Sequence, residues 1–221
     1  PKHDMYPDHH SFHEWRGDPA GDNYYSFYGG KVTPGPGQVS HDMANVLGAA
    51  EMIRSAPADK PLCIYLALGY PHPPYRVEEP FYSAIDRAKL PPRVPTFTDW
   101  TGKPCLLKGI QEGQRLQGWT EERWTELRAT YYGMCMQVDY QLGLIVDALR
   151  EAEMYDDSAI FLFSDHGDFT GDYGLVEKTQ NTFEDCLTNV PFVIKPPKDV
   201  PVQPGTRDAL VELIDFPATV E

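Results

Sequence analysis

The chain has 221 residues, enough for one sizeable hydrophobic core and too few for two independent ones. Apolar content of 41% and charged content of 24% are ordinary for a globular protein, and no run of eighteen apolar residues exists to cross a membrane. The net charge of −14 argues against non-specific nucleic-acid binding, because phosphates must be neutralised by Lys and Arg; a local basic cluster for a small anionic substrate stays open. The first residues, Pro1-Lys2-His3, carry neither an initiator Met nor a signal peptide's apolar stretch. A processed chain, or one cut from something longer, is expected.

Residues 1–38 are rich in His, Asp, Tyr, Gly and Pro without a sustained period, and read as surface loop with short irregular strands. Ser40 is placed to cap a helix running to about Ser55, with Met43, Val46, Leu47, Ala50 and Ile53 on one face. Pro61 then opens an apolar run, Leu62–Leu68, that reads as a strand and ends at Gly69 and Tyr70. Pro71-His72-Pro73-Pro74-Tyr75 follows it, and a short helix is expected around Glu79–Ala88. Residues 89–119 carry prolines, glycines and no clean period, so they read as a long functional connection without regular structure. The clearest helix runs from Thr120 to about Ala152, where Trp124, Leu127, Tyr131, Met134, Val138, Leu142, Ile145 and Leu149 recur at spacings of three and four. Ala159–Phe163 reads as a buried strand, Val190–Lys195 as another, and Thr206–Val220 as the start of a further helix. Strands alternating with helices indicate an α/β fold with a largely parallel central sheet flanked by helices.

Cys63, Cys105, Cys135 and Cys186 form no C-x-x-C pair, which removes a zinc or dithiol motif. Cys63 and Cys135 lie in periodic apolar segments and are expected as small buried hydrophobes. His9, His10 and His13 beside Asp4 and Asp8 match no standard metal spacing and read as a polar segment. Asp139 and Asp147 read as a polar face of the long helix.

The informative stretch is Ser164-Asp165-His166-Gly167-Asp168, which closes the apolar run at 159–163. Ligands in open α/β sheets bind beyond the carboxyl ends of strands, and Asp165 and His166 stand there as two metal-type donors. A carboxylate suits Ca²⁺ or Mg²⁺, whereas imidazole shifts preference toward softer ions; a turn with a capping Asp reads equally well from these residues alone. An EF-hand is excluded, because a twelve-residue loop from Asp165 ends on Val176. Gly167, Gly171 and Gly174 let the chain turn closely, and Lys178 brings a positive charge to the end of the loop. His72, held between prolines beyond a strand, reads either as a group that binds an oxyanion or protonates a leaving group, or as a surface histidine.

In their order along the chain, Lys60–Leu68 with Pro71–Tyr75, the helix at Tyr131–Leu149, Phe163–Asp168 with Gly171–Leu175 and Lys178, Val190–Ile194, and Leu213–Thr219 resemble the sulfatase family of the alkaline phosphatase superfamily. The resemblance implies an alkaline phosphatase-like sandwich, here incomplete at both ends, so that residues 1–221 make a partial catalytic domain. It implies a divalent cation, usually Ca²⁺ with Mg²⁺ or Mn²⁺ as alternatives, held by Asp165 and His166 with two N-terminal aspartates. It also implies that His72 and Lys178 contact the sulfate or its bridging oxygen, with His72 protonating the departing alcohol. The implied substrate is a small-molecule or carbohydrate sulfate ester, with no nucleic-acid or membrane partner, in a periplasmic or secreted compartment.

Two features depart from the family pattern. Tyr173 stands where many members have histidine. The Cys/Ser-x-Pro-x-Arg motif that yields the family's formylglycine nucleophile is absent; Ser83-Ala84-Ile85-Asp86-Arg87 keeps its ends but lacks the proline. The chain alone is therefore expected to be inactive. The other functions weighed are a phosphodiester or phosphonate monoester hydrolase of the same superfamily, and a non-catalytic metal- or glycan-binding relative.

Overall fold

The computed structural model describes residues 3–5, 28–179 and 182–220. In chain order these give β1 (Tyr28–Val32), α1 (His41–Arg54), β2 (Tyr75–Glu78), α2 (Phe81–Ala84), α3 (Cys105–Gln114), α4 (Glu121–Glu151), β3 (Ile160–Phe163), α5 (Asp185–Thr188), β4 (Phe192–Lys195) and α6 (Asp215–Val220). β1 pairs with β2 in parallel, Lys31 opposite Val77, and β3 pairs with β4 antiparallel, Leu162 opposite Val193. His9, His10, His13 and Asp8 lie outside the described residues.

α4 is the spine. Its 31 residues span about 46 Å at 1.5 Å per residue. Thr120 caps it, its hydroxyl accepting from the Arg123 N–H at 3.4 Å. Glu121 and Glu122 sit in its first turn and Arg150 in its last, each opposing the local end of the helix dipole. Three clusters pack along or beside this helix. Trp124, Leu127 and Met134 meet Tyr75, Val77, Phe81, Leu116 and Val176 in the largest. Near the carboxyl end of α4, Ala148 and Leu149 meet Ala50 and Ile53 of α1. Leu107 of α3 packs with Phe169, Leu175 and Leu187 beneath the 165–178 loop. Asp139 and Asp147 are exposed on the polar face, as their spacing implies.

Five segments differ from the sequence reading. Leu62–Leu68 is extended, with Leu62, Ile64, Leu66 and Leu68 half-buried and the residues between them exposed. It is nevertheless no strand, because a strand needs a neighbour for its hydrogen bonds and none pairs with it among the described residues. Cys63 is accordingly exposed, not buried, while Cys135 is half-buried. Within 89–119, α3 forms despite Gly109 and Gly113, which lower helix propensity and hid it from periodicity. Its Gln114 amide bonds both Val176 N (3.0 Å) and Val176 O (2.9 Å), so a long-range contact holds the helix in place. The helix expected over 79–88 is only the single turn of α2 and a 3₁₀ turn at Arg87–Lys89. That expected from Thr206 is confined to α6; Leu210, Val211 and Ile214 are exposed and offer the segment no packing partner. β3 is half-buried along its length, not enclosed.

Two glycines on α4 test how tightly it is packed. A Cβ on Gly133 would lie 2.8 Å from the Phe81 carbonyl oxygen and 3.0 Å from Val77 Cγ1, whereas one on Gly143 would meet nothing within 4 Å. Alanine gains about 1 kcal/mol over glycine in a helix interior. Gly143→Ala should therefore raise the urea midpoint and Gly133→Ala should lower it, the clash outweighing the propensity. Midpoints that both rise would contradict the packing described.

Candidate functional site

His72 is placed by the helix that precedes it in sequence. Asp42, in the first turn of α1, is buried, and its carboxylate accepts from the N–H groups of Gly69 and Tyr70, each at 2.8 Å. The turn closes when His72 N–H donates to Gly69 O at 2.8 Å. The ring orientation follows from chemistry. Nδ1 lies 2.7 Å from the Pro73 carbonyl, which can only accept, so Nδ1 carries the proton and Nε2 is the acceptor. Lys178 Nζ stands 2.9 Å from that Nε2 and donates to it.

Burial is the main influence that lowers the pKa of His72 below its ordinary value, with the charge of Lys178 adding to it; the Pro73 hydrogen bond and Asp168 oppose both. The imidazole is thus held neutral near pH 7. The sign for stability follows. A base whose pKa is depressed on folding binds its proton more weakly than the unfolded chain does. The contribution is intact above about pH 6.5, the unfolded value, and is lost as the pH falls toward the folded value.

Asp165 and His166 occupy the bend directly after β3. Asp165 Oδ1 accepts from the His166 N–H at 3.0 Å, and its side chain is 78% exposed. His166 Nδ1 lies 2.8 Å from the Gly167 carbonyl, which again assigns the proton to Nδ1 and leaves the Nε2 lone pair outward. Nε2 is 3.7 Å from Asp165 Oδ2, so one carboxylate oxygen and one imidazole nitrogen converge. Backbone anchoring of a metal-facing imidazole through its other nitrogen is the usual way such a ligand is oriented. The pair fits two positions of a divalent-cation shell. Among the described residues no third His, Cys, Asp or Glu joins them.

The loop beyond is stitched down along its length. Gly167 N–H donates to Leu187 O (2.8 Å) and Asp168 N–H to Cys186 O (3.0 Å). A Cβ on Gly167 would lie 1.9 Å from Cys186 O, so only glycine passes here. Gly171 and Gly174 both have positive φ, as the close turn requires. Asp168 is half-buried, and desolvation pushes its pKa up against the hydrogen bonds from Tyr75 and Thr170. Asp168 raises the pKa of His72 and His166 lowers it, so the two halves of the site share one electrostatic environment.

The four residues singled out by sequence thus form two adjacent pairs, His72 with Lys178 and Asp165 with His166. Three residues that shape the site carried no role in the sequence reading. Asp42 has the position of an ordinary helix-cap acid; Tyr75 and Asp168 stand inside recognised motifs, but their partners are 93 residues apart in the chain. On this geometry the His72 ring should titrate below pH 6.5 by NMR, and Lys178→Ala should move its midpoint upward. A midpoint unchanged by that substitution would mean that the ammonium does not face Nε2.

Comparisons with known proteins place this chain in a family. The sulfatase family model matches residues 2–220. The multifunctional alkaline phosphatase superfamily protein PehA of Trinickia caryophylli is 30% identical over 152 residues, covering 62% of this chain and 29% of that protein. Choline-sulfatase of Rhizobium meliloti is 29% identical over 151 residues, covering 64% of this chain and 28% of the relative. The chain therefore spans less than a third of the length of either relative. Among solved structures, the phosphonate monoester hydrolase of Agrobacterium radiobacter superposes with a TM-score of 0.60 at 29% identity, covering 70% of this chain and 33% of that one. No helix among the described residues is long and apolar enough to cross a membrane. Matched by the family model over nearly its whole length, the chain belongs to the sulfatase family.

Proposed function

We propose that this chain supplies the leaving-group half of a sulfate-ester hydrolase site. The observation that carries the reading is the Lys178 Nζ to His72 Nε2 contact of 2.9 Å, in a site whose Asp165 and His166 present adjacent metal-type donors. Cleavage of a sulfate ester builds negative charge on the departing alcohol oxygen, and a fixed ammonium beside an imidazole stabilises and discharges it. In the resting geometry Lys178 donates to His72. An arriving sulfate draws Lys178 onto its anionic oxygens, frees Nε2 and raises the affinity of His72 for a proton. Nε2 then takes up a proton from solvent, and His72 delivers it to the alkoxide while Lys178 stays on the sulfate.

Asp165 and His166 are assigned to a divalent cation. Ca²⁺ is favoured by the family resemblance, and Mg²⁺ or Mn²⁺ suit the carboxylate as well. When bound, the ion supplies Lewis acidity toward the sulfate oxygens. No residue of this chain matches the nucleophile motif, so none is assigned as nucleophile. The substrate class is a small-molecule or carbohydrate sulfate ester, and the compartment, periplasmic or secreted, follows the family expectation.

A second reading, hydrolysis of phosphonate or phosphate esters, is favoured by the Agrobacterium radiobacter neighbour and by the multifunctional relative. Both reactions need the same leaving-group protonation. In the active enzyme, His72→Ala and Lys178→Ala should each lower kcat/KM on an aryl sulfate at least about tenfold, equivalent to about 1.4 kcal/mol of transition-state stabilisation. Unchanged kinetics would remove both from the chemistry. A wild-type rate higher on an aryl phosphonate than on an aryl sulfate would select the second reading. Ca²⁺ binding without turnover of either ester would leave a non-catalytic relative.

A further inference from the structure

Tyr75 opens β2 three residues after His72 and is fully buried, yet it holds no charge that the reaction could use. Its hydroxyl lies 2.7 Å from the backbone nitrogen of Glu177 and 2.8 and 2.9 Å from the two carboxylate oxygens of Asp168. An amide N–H can only donate, so the hydroxyl accepts there and directs its single proton to Asp168. Asp168 Oδ1 is fixed from the other side by Thr170 N–H at 2.7 Å and Thr170 Oγ1 at 2.9 Å. Glu177 has φ of 65°, a left-handed conformation that side chains other than glycine rarely adopt. Its carbonyl accepts from Phe169 N–H at 3.0 Å, so both of its backbone groups are tied. Lys178 is the next residue, and the direction in which its side chain departs is set by those dihedrals.

We propose that Tyr75 is a positioning residue: its hydroxyl, bridging Asp168 and the Glu177 backbone, holds Lys178 Nζ against His72 Nε2. The inference rests on the reading of His72 and Lys178 given above. One side of the bridge is covalently close to His72, the other to Lys178, and the hydroxyl spans 102 residues of sequence to join them. Without it the Glu177 N–H loses this acceptor, and the local chain relaxes away from its left-handed dihedrals. The ammonium would then drift from the imidazole and from the position at which it meets the sulfate.

The test is a double-mutant cycle in the active enzyme, with Tyr75→Phe, Lys178→Ala and their combination assayed on one aryl sulfate. Tyr75→Phe should lower kcat roughly fivefold or more, and should have less than about a twofold effect once Lys178 is already alanine. A hydroxyl with a merely structural role lowers the folded, active fraction whether or not Lys178 is present, so its losses multiply. Multiplying losses, or wild-type kcat in Tyr75→Phe, would overturn the inference. A wild-type kcat in Lys178→Ala would instead remove the underlying reading of the lysine. Should Tyr75→Phe fail to fold, Thr170→Val loosens the same carboxylate. It should lower kcat at least roughly twofold, again only when Lys178 is present, and the same two outcomes decide.

Discussion

The hydrogen bond from the buried Tyr75 hydroxyl to the Asp168 carboxylate is what joins the strand end bearing His72 to the loop bearing Lys178. Even partial burial makes a carboxylate costlier to ionise, and desolvation does push the Asp168 pKa upward. Three donors from Tyr75 and Thr170 meet it, and they oppose that push. A partly buried charged group with its partners in place defines a geometry more sharply than apolar contact does, because any displacement leaves a donor or acceptor unpaired. The site is organised around this node, and the hydrophobic clusters exist on either side of it: Tyr75 and Val176 in one, Phe169 and Leu175 in the other.

α4 provides the rigid reference for both clusters. Trp124 packs in the first and also lies under the Arg93 guanidinium, 5.2 Å from its ring centroid. Arg93 donates to the carbonyl of Gly171 at 3.1 Å, so the helix reaches the loop through one stacked side chain. Asp172 closes the same contact by accepting from Val94 N–H at 2.8 Å. The connection at 89–119 is therefore a strap over the loop, built from polar contacts that leave no periodic trace.

The chain's charge of −14 and the Lys178 ammonium at the site are compatible because the acids are dispersed. Glu121 and Glu126 pair with Arg93 and Arg87, and Asp147 pairs with Arg150, all away from His72. In the proposed reading, an anionic ester approaching the site would meet Lys178, and the cation that Asp165 and His166 would hold, ahead of the bulk of the surface. The mutual placement of His72 and Lys178 would then set where the leaving oxygen is served.

Local signals in the amino-acid sequence determined the long helix, the helix that Ser40 caps and the strands at 160–163 and 192–195, and they singled out His72, Asp165, His166 and Lys178 as candidates. These are legible because each depends on neighbours within a few positions: a period of 3.6, a cap three residues from its donor, a polar pair ending an apolar run. Tertiary structure alone decided that Leu62–Leu68 lacks a ladder, that α3 forms within 89–119, and that the chain after Thr206 stays extended until Asp215. It alone decided that Asp42, Tyr75 and Asp168 shape the site, since their partners lie 27, 102 and 93 residues away. A hydrogen bond across such a distance has no periodicity. It is set by which surfaces the hydrophobic clusters bring together, and that is a property of the packed chain rather than of any window within it.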